Sequence, residues 1–146
     1  MSLDKLIGIS LETIKPDAST CRRLKLAAEC SLQDAQLAGM SPESSFDLAY
    51  KAIMQAANRA LHVNGYRTLT SKPGHHQTMI QTLPQTVGLD AGTMVILDGL
   101  RKQRNVIDYS GDVVSETMVA DAIKHAGELL QHVDQWITQN KPELRT

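Results

Sequence analysis

The stretch from Ser41 to Gly65 limits the possible folds more than any other. Ser41 has the side chain of an N-cap, and Pro42 sits at the first helical position, where its missing N–H costs nothing. Asn64-Gly65 is a left-handed stop. Between them Phe46, Ala49, Tyr50, Ile53, Ala57, Ala60 and Leu61 recur at three- and four-residue steps, and the charges Glu43, Asp47, Lys51 and Arg59 are sparse. So many alanines on an inward face let neighbouring helices approach closely. The pattern predicts the central helix of a bundle.

The rest of the chain is read outward from that helix. A first helix is expected from about Ser2 to Lys15, with Leu3, Leu6, Ile7, Leu11 and Ile14 as its stripe and Pro16 as its end. A second is expected over roughly Asp17 to Ala38, capped by Asp17 or Ser19, burying Cys21, Leu24, Ala28, Leu32 and Ala35 and closed by Gly39. Its basic run, Arg22, Arg23 and Lys25, reads as a solvated face. Tyr66 to Gly74 reads as a basic loop, followed by a short helix from about His75 to Leu83 that Pro84 ends or kinks, with a possible turn at Gln85 to Gly88. Asp90 then caps a helix over about Ala91 to Tyr109, and Ser110-Gly111-Asp112 breaks the chain. Ser115 caps the last helix, whose seam is Val119, Ala122, Ala126, Leu129, Val133 and Trp136, ending at Lys141-Pro142. The reading is an all-α, up-and-down antiparallel helical bundle: four core helices plus shorter ones, in one domain over 1–146 with its core at about 18–140.

Composition narrows the function classes. The 146 residues suffice for one domain with a real core. A formal net charge of -1 argues against general polyanion coating. No apolar run is long enough to span a bilayer, no signal-peptide pattern is visible, and a cytoplasmic location with no membrane partner is the default. Cys21 and Cys30 fall in one predicted helix about 13 Å apart along its axis, beyond disulfide reach. Aromatics are only 3%, so base-stacking platforms are scarce. No phosphate-cradling glycine loop or Cys-x-x-Cys pair is present, and no cofactor is expected. His125 and His132 share a face with Asp121 and Glu128, but the histidines are seven residues apart, so a boundary stripe is expected and a metal site is not.

The chemistry is expected on the helix of Asp98–Asp112, DGLRKQRNVIDYSGD. At 100° per residue, Thr93, Leu97, Leu100 and Ile107 lie within about 60° of Arg104. A guanidinium on an apolar face needs a partner, because an unpaired buried charge costs several kcal/mol. Asp108, one turn on, is the nearest candidate, with Asn105 and Tyr109 beside it. The bland alternative is an internal Arg104–Asp108 pair that braces the bundle. At the start of the preceding helix His75 and His76 diverge by about 100°, so at most one faces the Arg104 helix. An anion could sit at that N-terminus, helped by Arg67 and Lys72. The alternative there is one packed and one solvated histidine.

In order and spacing, YRTLTSKPGHH after a long alanine-rich helix, then LRKQRNVIDYSGD, then a capped amphipathic helix, resembles the HEPN (higher eukaryotes and prokaryotes nucleotide-binding) family, from about Leu24 to Ile137. More narrowly, it resembles the small bacterial stand-alone members with a Gly-His-His after the third helix, here Gly74-His75-His76, and an Arg-Asn…Asp-Tyr pair on the next long one, here Arg104-Asn105 and Asp108-Tyr109. The resemblance implies a bundle of four or five helices that dimerises through the arginine-bearing helices. It also implies a nucleotide, an RNA end or a nucleotidyltransferase-type protein as partner, and a possible toxin–antitoxin setting. Many members are metal-independent ribonucleases whose motif is Arg, a polar residue, a short spacer, then His. Arg104 and Asn105 match its start, but Tyr109, Ser110 and Gly111 occupy the three permitted histidine positions. Counted from Arg101, those positions are Val106, Ile107 and Asp108. RNA cleavage by 2′-hydroxyl attack needs a base near neutral pKa and a cation for the phosphorane charge. Arg104 supplies the cation. Tyr109, with an ordinary pKa of about 10, is a poor base.

Three functions follow as expectations. The first is a HEPN-like binding module, homodimeric, with Arg104, Asn105, Asp108, Tyr109, Arg101, Arg67 and Lys72 contributing to ligand contact. The second is a ribonuclease in which His75 or His76 supplies the missing base and Arg104 and Tyr109 assist. The third is a structural or regulatory dimer with no ligand site.

Overall fold

The computed structural model describes residues 3–71, 73–111 and 113–145. It is an all-α helical bundle with one very small sheet. The helices are α1 (Ala18–Ala35), α2 (Pro42–Val63), α3 (His75–Gln81), α4 (Leu83–Val87), α5 (Ala91–Ser110) and α6 (Glu116–Asn140). Single 3₁₀ turns lie at Leu3–Leu6 and Pro142–Leu144.

Four expected caps form. Asp17, Ser41, Asp90 and Ser115 each accept a hydrogen bond from the backbone N–H three residues on, which satisfies one orphan donor per helix. Gly111, at φ 69°, ends α5 in the left-handed region that favours glycine.

α2 is the axis of the molecule. It buries Phe46, Ala49, Tyr50, Ile53, Ala57, Ala60 and Leu61, the full expected face, and Ala52, Met54, Ala56 and Val63 besides. A helix buried that far round its circumference needs neighbours on several sides. α1 packs Cys21, Ala28 and Ala35 against it, and α6 packs Ala126, Leu129, Val133 and Ile137. Of the remaining expected seam, Leu24, Leu32, Val119 and Trp136 stay half-buried at the edges.

The N-terminal helix expected over Ser2–Lys15 does not form; Ser2 itself lies outside the described residues. Only a 3₁₀ turn is present before Gly8, which takes φ 83°, and right-handed helix cannot continue through that conformation. The chain then runs as strand β1 (Leu11–Thr13), antiparallel to β2 (Tyr66–Thr68) with Leu11 opposite Thr68 and Thr13 opposite Tyr66. The expected Tyr66–Gly74 loop therefore begins as a strand. Leu11 enters the core and Glu12 pairs with Arg67 across the strands. Asp4 accepts from the Tyr66 hydroxyl and clasps the 3₁₀ turn to β2. The leucine spacing that mimicked a helical stripe serves a turn and one inward strand residue instead.

α5 is packed much more thinly. It touches mainly α3, with smaller areas on α2 and α4. Only Leu97, Asp98 and Leu100 of its 20 residues are buried.

Candidate functional site: a tyrosine between a guanidinium and an imidazole

Arg104 does lie on the inner face of α5, beside buried Leu97 and Leu100 and half-buried Thr93 and Ile107. Its partner is not Asp108. The guanidinium lies over the Tyr50 ring, 5.0 Å from the centroid, a cation–π contact. Its Nε is 3.7 Å from Asp47 Oδ1, an ion pair too long for a hydrogen bond. With 32% of its side chain exposed, Arg104 is sheltered yet reachable. Asp108 is exposed at the mouth of a neighbouring depression that also contains Asp47 and Glu43. The expected Arg104–Asp108 brace is thus replaced by a tertiary contact to α2. Two side chains one turn apart on α5 do not pair when a ring from α2 offers the cation a flat, desolvated face.

α3 brings the third group. Tyr50 Oη and His76 Nδ1 are 3.2 Å apart, and the two rings are tilted against each other. His75 stands edge-on to His76 at 4.5 Å between centroids. Both histidines are half-buried, so the expected split into one packed and one solvated ring does not occur. One of them, His76, does reach the Arg104 helix's neighbourhood.

Electrostatics fix the protonation states. Burial pushes the Tyr50 phenol up to about 12, against the opposing pull of Arg104 and Arg101. The phenol therefore stays protonated at neutral pH. Burial, then His75, Arg104 and Arg101, hold the His76 imidazole below its ordinary value, which favours the neutral ring. A neutral His76 has two tautomers. In one, the phenol donates to Nδ1 and Nε2–H faces outward. In the other, Nδ1–H donates to the phenol oxygen and Nε2 keeps its lone pair.

Around this trio is a cavity of about 330 Å³, lined also by Asp47, Lys51, Met54, Gln55, Asn58 and Met79. Methionines form apolar walls, and a lysine, an arginine and two amides bring polar groups to them. A few polar groups set in apolar walls are what small-ligand sites generally show. Most of the lining belongs to the α2 stripe Asp47, Tyr50, Lys51, Met54, Gln55, Asn58; of these, spacing placed only Tyr50 on the inward face and counted Asp47 and Lys51 among the sparse charges. The signal was present: Tyr50, Met54 and Asn58 recur at four-residue steps along one edge, with Lys51 and Gln55 beside them.

The other expected site residues disperse. Arg101 donates from Nε to Asp98 Oδ1 at 2.7 Å, and that contact, more than any other, draws the buried Asp98 carboxyl below the usual range. Asn105 is exposed, and Tyr109 is 93% exposed, on the far side of α5 from Tyr50. Arg67 is engaged with Glu12 in the sheet, and Lys72 lies outside the described residues. His132 donates from Nε2 to the Val87 carbonyl at 2.7 Å, tying α6 to α4. His125 is half-buried, its Nδ1 without a partner among the described residues. Among the described residues no group of three or more His, Cys, Asp or Glu side chains is placed to hold a metal ion.

Sequence reasoning also misjudged where the chain buries an arginine. Arg59 on α2 is the deeply buried one, with 4% of its side chain exposed. Its Nη1 donates to Asp134 Oδ1 of α6 at 2.9 Å and its Nε to Cys21 Sγ of α1 at 3.4 Å.

Fold and site together define an all-α bundle with a cation–tyrosine–histidine pocket between α2, α3 and α5. The chain matches no protein-family model, no curated protein and no solved structure. No described helix is long and apolar enough to cross a membrane.

Proposed function

We propose that the protein is a HEPN-like helical module that binds a nucleotide or an RNA end in the Tyr50–His76–Arg104 pocket. The observation that carries this reading is the partly exposed guanidinium held over the Tyr50 ring at the edge of an amphipathic cavity. Arg104 and Lys51 supply cationic donors for a phosphate, and the His76 ring with Met54 and Met79 supplies a surface for a base. The loose Asp47 contact at 3.7 Å leaves Arg104 N–H groups for such a ligand.

The module acts as a homodimer. Val95, Val106 and Tyr109 are exposed on the outer side of α5, opposite the face that meets Tyr50, and Val113 follows them. Gly92, Val95, Gly99 and Val106 fall within about 60° of one another around the axis, and this strip with two glycines, bordered by Lys102, permits close approach of a second α5.

The test is anisotropy of a labelled short single-stranded RNA at low salt. Arg104→Ala, at unchanged folding, should weaken binding by about tenfold or more, the loss expected for one charge-assisted contact. Equal affinities would remove the proposal.

A ribonuclease reading has one specific observation in its favour: a neutral His76 against the Tyr50 hydroxyl supplies a base when Nε2 keeps its lone pair. His76→Asn should then abolish cleavage and spare RNA binding. Cleavage that persists in both His76→Asn and Arg104→Ala would exclude it.

A further inference from the structure

A second cavity, of about 250 Å³, lies where α1, α2 and α6 meet, on surface not shared with the Tyr50 pocket. Arg59 lines it from within. A guanidinium carries five N–H donors. Nε and Nη1 are engaged, but Nη2 is covered from solvent and meets no acceptor among the described residues. Buried donors are nearly always satisfied, so an orphan on a charged group marks a missing partner. Lys25 Nζ stands 3.7 Å from the same Asp134 Oδ1 that Arg59 holds. Two cations thus converge on one carboxylate oxygen. The remaining lining is mostly apolar, Ala28, Ala56, Leu130 and Val133, with Gln131 and the exposed Glu29 at the rim.

We infer that this cavity is a binding site for a small organic carboxylate, which enters by displacing Asp134. Asp134 belongs to the protein's own α6, and its carboxylate shows how such a group is held between Lys25 and Arg59. With 41% of its side chain exposed to solvent, it can swing outward when an incoming carboxylate takes over its ion pair with Arg59. Once it swings outward, the incoming carboxylate bridges Lys25 and the Nη1–Nη2 edge of Arg59 as a two-oxygen acceptor. The orphan donor is then satisfied. The alkyl part of the ligand covers Ala28, Ala56, Leu130 and Val133. A short aliphatic acid fits these walls better than phosphate, whose oxygens would face alanine and leucine.

The test is an NMR titration with butyrate, using chloride and inorganic phosphate as controls. Saturable shifts should appear at amides around Ala28, Ala56 and Leu130 with butyrate and not with either control. Asp134→Asn keeps a side-chain acceptor for Arg59 but removes the competing charge, and should tighten butyrate binding about tenfold. Lys25→Ala should weaken it by about as much, since each change alters one charge-assisted contact. Shifts that rise linearly and match chloride would overturn the inference. So would equal affinities in wild type and Asp134→Asn. Saturable binding of phosphate but not butyrate would overturn the carboxylate assignment.

Discussion

Arg59 and Arg104 both face the interior of this protein, and their surroundings differ in kind. Arg59 is enclosed by three long helices, and its main partner is a carboxylate 75 residues away in the chain. Arg104 lies on a helix with three buried residues, and its main partner is the face of a ring. The first arrangement welds α1, α2 and α6 together. The second leaves a guanidinium sheltered but accessible, next to a neutral imidazole. Full burial commits an arginine first to an internal carboxylate, which a ligand must displace, whereas partial burial against an aromatic ring leaves N–H groups directly accessible.

The largest expected effect falls on the enclosed arginine. Asp134→Ala leaves its guanidinium buried without its carboxylate and should cost about 3 kcal/mol in urea unfolding. Arg104→Ala should cost less than about 1 kcal/mol, because its ion pair is long and half in water. Equal losses at the two sites would erase the distinction. Next in size is the α5 outer face. Val106→Asp should weaken self-association by at least about tenfold in sedimentation, while shifting the stability of the protomer by about 0.5 kcal/mol or less, as expected of an exposed site. Wild-type protein that stays monomeric at high concentration would refute the dimer.

Tyr50→Phe removes the hydroxyl that meets His76 and should cost about 1 kcal/mol, the usual net value of one hydrogen bond. The smallest effect is the pH dependence of His76. Its folded value lies below the unfolded value of about 6.5, so the unfolded chain takes up a proton first as pH falls. The contribution of His76 to stability is complete above that unfolded value and is lost as pH falls from there to the folded one. The urea midpoint of wild type should therefore drop more than that of His76→Gln between pH 7.5 and 5. Parallel curves would show that the imidazole is not desolvated.

Much of the frame was legible because local chemistry specified it. Asp17, Ser41, Asp90 and Ser115 are caps in the sequence and in the fold, the apolar face of α2 is the one the spacing requires, and that of α6 holds Ala122, Ala126, Leu129 and Val133 of the expected seam, with Ile137 rather than Trp136 buried at its end. The N-terminus was misread because Leu3, Leu6 and Leu11 fit a helical stripe, while the decisive fact was the single left-handed Gly8 between them. The site was half legible. Arg104 on an apolar face pointed to a needed partner, and proximity in sequence suggested Asp108. The actual partners, Tyr50 and Asp47, come from α2, and His76 is delivered by α3. Such pairings depend on how helices dock, which spacing along one helix does not encode. Arg59 was hidden for the same reason: its carboxylate is a whole bundle away in the chain.

The most direct test of the Tyr50–His76–Arg104 pocket as a nucleotide site is a ¹H–¹⁵N and methionine-methyl NMR titration with a nucleoside monophosphate. The account predicts saturable shifts at Tyr50, Lys51, Met54, His76 and Met79 that vanish in Arg104→Ala. Saturable shifts confined to the α1–α2–α6 cavity, or none at all, would contradict it.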